Sequence, residues 1–211
     1  MNATNDPGQL RLLVEPFPMP VSGELRAAFR DLFLAAEGTE EHKRTIGDPS
    51  GLPRPWEPGT CNKPELRAEL WAWLDQVVGW YNRQCAWDPA RIIPTCWPYH
   101  PHLVRDIAVL ADLRRRAQLA LTSDLLEEWH RYTVPAFLER LKNQTRGGCD
   151  NQHTPWPARA RATRYDSELS WRDRYQAFRD DLDALEPPEP PPPTRPILGV
   201  VDPETGEISQ P

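Results

Sequence analysis

The chain has 211 residues with 25 Lys+Arg against 31 Asp+Glu, a net charge of −6, and it is 39% hydrophobic with 25 prolines and nine tryptophans. That is long enough for one medium domain with appendages, and too apolar for full disorder. No apolar run approaches the roughly 18 residues of a membrane-spanning helix, and Met1–Pro20 lacks the basic start and apolar stretch of a signal peptide. A cytoplasmic chain is therefore expected, with its cysteines free or metal-bound rather than bridged.

In chain order, Leu25, Phe29, Leu32, Phe33 and Ala36 recur at helical spacing and predict a helix from about Ser22 to Glu37, ended by Gly38 in the left-handed conformation. Residues 39–61, punctuated by Gly47, Pro49, Gly51, Pro53, Pro55, Pro58 and Gly59, read as a loop. Asn62 with Glu65 suggests a capping box for a second helix, whose stripe is Leu66, Leu70, Trp73, Leu74, Val77 and Tyr81. A third helix follows Pro98 and Pro101, with Leu103, Ile107, Leu110 and Ala111 on its inner face. Thr122-Ser123 restarts the chain into a fourth helix through Leu126, Trp129, Tyr132, Phe137 and Leu141, which Pro135 should kink or split after Thr133. Residues 144–165 read as a loop, and a fifth helix begins near Ser167 or Ser170, with Trp171, Tyr175, Phe178, Leu182 and Leu185 on one face. Beyond it lies a Pro-rich spacer. Ile197–Val201 and the turn Asp202–Gly206 could then form a small hairpin, though an unstructured tail is the expectation.

The architecture so predicted is mainly α: about five helices around an antiparallel helical hairpin, with Pro-rich loops and a disordered acidic C-terminal tail. Its regions are 1–61, 62–165, 166–186 and 187–211. The hairpin comprises helices three and four, which only a short connection separates.

Four cysteines and five histidines are present, and two pairs share one spacing: Cys96-Trp-Pro-Tyr-His100 and Cys149-Asp-Asn-Gln-His153. Two cysteines and two histidines make a complete tetrahedral shell for zinc, and three intervening residues let a short loop turn both side chains onto one ion. The expected metal ligands are thus Cys96, His100, Cys149 and His153, with Cys61 as a further or replacement ligand. Both loops fall at the open end of the predicted hairpin, which would bring them together. Four protein ligands leave no position for substrate water, so the zinc expected is structural. A catalytic alternative would use Cys96, His100 and His130 with Glu127 as base, but Glu127-Glu128-Trp129-His130 is not a zinc-protease pattern.

Charge is unevenly placed. Residues 140–179 hold nine bases and four acids, whereas residues 180–211 hold eight acids and one base. Arg140, Lys142, Arg146, Arg159, Arg161 and Arg164, with Trp156 as an interleaved aromatic, form a segment suited to phosphates and stacked bases. Most tryptophans belong to helices and fit a core. Trp71 falls off its helix's stripe and suggests a second surface, hence a protein partner. No Gly-rich phosphate loop and no nucleophile constellation is found, and no small-molecule substrate is evident.

The stretch Ile93-Pro-Thr-Cys-Trp-Pro-Tyr-His-Pro-His102, continuing to Leu110, and the stretch Thr122-Ser-Asp-Leu-Leu-Glu-Glu-Trp-His130, continuing to Leu141, together resemble an actinobacterial group of small Trp-rich helical proteins. That group combines a Cys-Trp-Pro-x-His-Pro turn with a following Trp-His helix ending near a proline, and it is carried on conjugative plasmids and integrative elements near transfer ATPases. The resemblance covers about residues 64–160 and marks Cys96, Trp97, His100, Trp129 and His130. It implies a mobile-element context and carries over no catalytic residue. The function expected is a non-enzymatic interaction or accessory protein of a mobile element, zinc-stabilised. The alternatives are a DNA-binding accessory protein using residues 140–165 and a zinc hydrolase.

Overall fold

The structure, a computed structural model, describes residues 13–21, 23–145, 149, 158–184, 200–201 and 208–209. The chain divides into two compact units, Met1–Trp156 and Pro157–Pro211. The described residues are mainly helical, and among them no helix is long and apolar enough to cross a membrane.

In the first unit, α1 (Gly23–Glu37) buries Leu25, Ala28 and Phe29, while Phe33 faces outward. Gly38 ends it without a positive φ. A Cβ there would sit 2.2 Å from the Leu34 carbonyl oxygen, so close approach, not left-handedness, calls for glycine. The left-handed glycine is Gly47, at φ 75°, which closes α2 (Glu40–Ile46). That helix occupies part of the expected loop. Thr39 and His42 exchange cap hydrogen bonds at 3.3 Å, with His42 in the place usually held by Glu or Gln, which hid the capping box.

α3 (Pro64–Gln84) starts with Lys63 as cap and Pro64 in its first turn, not at Asn62; proline loses nothing there, because that amide has no helical acceptor. Its expected stripe is buried, joined by Val78 and Trp80. Residues 15–18 lie along it as an extended strap. Trp80 Nε1 donates to the Glu15 carbonyl at 3.0 Å and Trp73 Nε1 to the Pro18 carbonyl at 2.8 Å. Seven helical residues advance about 10.5 Å, and three residues of polyproline advance about 9.3 Å, so two indoles on one face match two carbonyls of a Pro-rich strand. Phe17 seats edge-on to Trp80 at 5.2 Å. Arg114 lies over the rings of Phe17, Trp80 and Trp129 at 5.2, 5.5 and 5.8 Å, so its cation is stabilised by three π faces.

α4 (Pro101–Leu119) and the segment after it form the hairpin, joined by residues 120–123. The returning arm is α5 (Asp124–Glu128), one π turn (Trp129–Thr133) and α6 (Val134–Thr145). Pro135 accounts for the wide turn. Its ring would strike the carbonyl four residues back in a regular helix and it has no N–H to give. The helix relaxes where the sequence expected a break, and the arm continues instead of folding back. Trp129 Nε1 donates to the Leu110 carbonyl at 3.1 Å, and Phe137 packs edge-on to Tyr81 at 5.8 Å. Asp106 of α4 accepts from Arg140 at 2.9 Å and from Gln144 at 3.0 Å. Phe17, Leu25, Phe29 and Cys61 share one core with α3 and α4.

In the second unit, α7 (Arg159–Tyr165) occupies part of the expected 144–165 loop, and α8 (Glu168–Asp183) follows. Ser167 caps α8, accepting from Ser170 N at 3.3 Å. In the tail, Val200–Val201 pairs antiparallel with Ile208–Ser209, the hairpin alternative of the sequence reading. The rest of the tail lies outside the described residues.

Candidate metal centre

Two elements bring a thiol and an imidazole to the start of α4. The Asn82 side chain clamps Ile93, donating to its carbonyl at 3.0 Å and accepting from its amide at 2.9 Å, which fixes the loop after α3. Pro98 then favours a tight 3₁₀ turn, Trp97–Tyr99, with Cys96 before it and His100 after it as the cap of α4. Buried Trp97 packs on Trp71 at 5.9 Å, and Arg67 lies over Trp71 at 5.9 Å. The off-stripe tryptophan therefore has a partner within the chain: it braces the turn that carries the site.

Cys149 follows the C-terminus of α6, at the same open end of the hairpin as the start of α4. His100 Nε2 lies 3.4 Å from Sγ of Cys96 and 3.4 Å from Sγ of Cys149. The three donor atoms all lie within 4.8 Å of one another, so this group could hold a metal ion. His100 is 4% exposed and Cys149 is buried. Burial pushes the Cys96 thiol above its ordinary range, and the adjacent Cys149 adds to the shift. Two thiolates this close are unfavourable without a cation between them.

The other expected ligands fare differently. His153 lies outside the described residues. Cys61 is fully buried in the core with its thiol raised by burial, and it is not part of the converging group. His130, required by the hydrolase alternative, sits edge-on to Trp129 at 5.0 Å on the π turn. Trp129 itself bonds Leu110, ten residues along α4 from His100, roughly 15 Å of helix. The hydrolase ligand set is not assembled. His130 instead lines a separate cleft of about 700 Å³ with Cys85, Glu139 and Lys142, which no motif announced.

The basic segment does not form one continuous element. Arg140 is ion-paired with Asp106 at 2.9 Å, and Lys142 faces the cleft. Arg159, Arg161 and Arg164 ride on α7 in the other unit, and Arg146 and Trp156 lie outside the described residues. In comparisons with family models, curated proteins and solved structures, nothing matches this chain.

Proposed function

We propose that this protein is a non-enzymatic interaction protein whose helical hairpin is closed by a structural zinc ion. Cys96, His100 and Cys149 would bind it, with His153 as fourth donor by its place in the second Cys-x3-His pair. The observation that carries the reading is the convergence of three donors, Cys96 and His100 before one arm of the hairpin and Cys149 after the other. Zinc sits about 2.3 Å from sulfur and about 2.0–2.1 Å from nitrogen, and a tetrahedral angle then separates S and N by about 3.5 Å. The separations of 3.4 Å fit that span, and they also suit S–H···N hydrogen bonds in the metal-free form. Zinc there supplies cross-linking rather than chemistry. The resemblance to mobile-element proteins supports an accessory role in such an element, acting on a protein partner. Arg140, spent on Asp106, gives the DNA-binding reading no support.

The test is elemental analysis of protein purified without added metal, repeated on Cys149→Ser and His100→Ala. One zinc per chain, lost in both variants with a lower melting temperature, is the expected result. Absence of metal from the unmodified protein rejects the reading.

A further inference from the structure

α8 carries Trp171, Tyr175, Phe178 and Leu182 at spacings of four, three and four, the seam of a two-stranded coiled coil. These side chains are 54, 47, 62 and 58% exposed. Trp171 and Tyr175 stack on each other at 5.0 Å, and none of the residues of α8 is buried. In sequence, Leu185 would continue the same spacing beyond the described residues. A contiguous apolar stripe about 16 Å long is suited to an interaction surface.

We propose that the occupant of this seam is α8 of a second copy, running antiparallel. Charge favours a second copy in this direction over a parallel one. Arg174 and Asp181 flank the seam on one side, at equivalent heptad positions, and Arg172 and Arg179 flank the other. In an antiparallel pair Arg174 meets Asp181 of the second copy, twice by symmetry, while on the other flank Arg172, whose charge is met by Glu168 of its own helix, faces Arg179. In a parallel pair Arg174 meets Arg179 of the second copy, a repulsive contact. The polarity of the unit agrees. Residues 175–184, the C-terminal part of α8, hold one arginine and three aspartates, and an antiparallel pair keeps the two acidic ends apart whereas a parallel pair sets them side by side. Arg174 is fixed in place, its Nη1 donating to the Tyr165 carbonyl and to Ser170 Oγ at 2.8 Å, with its guanidinium 3.6 Å over the Tyr165 ring. A guanidinium has further N–H groups left for a second carboxylate.

The test is sedimentation equilibrium of the full chain from micromolar to hundreds of micromolar, with helicity recorded for each variant. A monomer–dimer equilibrium is expected, weakened at least tenfold by Phe178→Asp. Arg174→Asp and Asp181→Arg each weaken it severalfold, and the double exchange restores it. Tighter association of Arg174→Asp, whose new carboxylate would meet Arg179 in a parallel pair, overturns the antiparallel arrangement. A chain that stays monomeric throughout, or a dimer indifferent to Phe178→Asp, overturns the interface itself.

Discussion

α3 and α8 carry the same kind of sequence signal and end in opposite environments. Leu66, Leu70, Trp73, Leu74, Val77 and Tyr81 of α3 are all buried, whereas the Trp171–Leu182 face of α8 stays 47–62% exposed. Periodicity states that a helix has an apolar face; it does not state what that face meets. α3 finds the strap, α4 and the returning arm within its own unit. Among the described elements of its unit, α8 packs against α7. The two regions accordingly differ in what a substitution costs.

The largest contrast comes from matched aromatics. Phe137→Ala empties a fully buried site beside Tyr81 and should cost about 3–5 kcal/mol, whereas Phe178→Ala should change monomer stability by less than about 0.5 kcal/mol. Urea titrations of both variants, at concentrations below self-association, check the pair. Equal costs would erase the distinction between the units. Metal removal comes next. With free zinc at about 100 times Kd, the metal should stabilise the first unit by about 2.7 kcal/mol. Chelation should then lower the melting temperature of the hairpin and leave the helical signal of an isotopically labelled α8 unchanged. A smaller effect is expected at the strap. Trp80→Phe removes the donor to the Glu15 carbonyl, at a cost of about 1 kcal/mol, and should open residues 13–18 to proteolysis before the core unfolds.

The smallest effect is one of pH. Burial pushes the Cys85 thiol to about 11 from 9.0 and the Tyr81 hydroxyl to about 12 from 10.0. The fold favours the neutral forms, so their contribution is intact below pH 9 and is lost as pH rises through 11 and 12. The urea midpoint should fall above pH 9, and Cys85→Ala should flatten the decline between 9 and 11.

Much of the first unit was legible in the residues themselves. The stripe of α3, the hairpin and a distortion of the returning arm near Pro135 follow from spacing and from proline's missing donor. The meeting of Cys96 and His100 with Cys149 follows from paired spacing combined with antiparallel topology. Other features were illegible for stated reasons. α2 and α7 are short helices set among glycines and prolines; α2 rests on its Thr39–His42 cap and α7 on contacts from α8 such as Arg174 with Tyr165. Trp71 looked surplus because its partner, Trp97, comes from a loop whose path only tertiary packing defines. Cys61 resembled a ligand because buried hydrophobic cysteine and metal-binding cysteine are the same letter.

The most direct test of the metal-closed hairpin is X-ray absorption at the zinc edge on the purified full chain. The account predicts two sulfurs at about 2.3 Å and nitrogen at about 2.0–2.1 Å in the first shell, with one sulfur lost in Cys149→Ser. A first shell of oxygen alone, or one unchanged by that substitution, would contradict it.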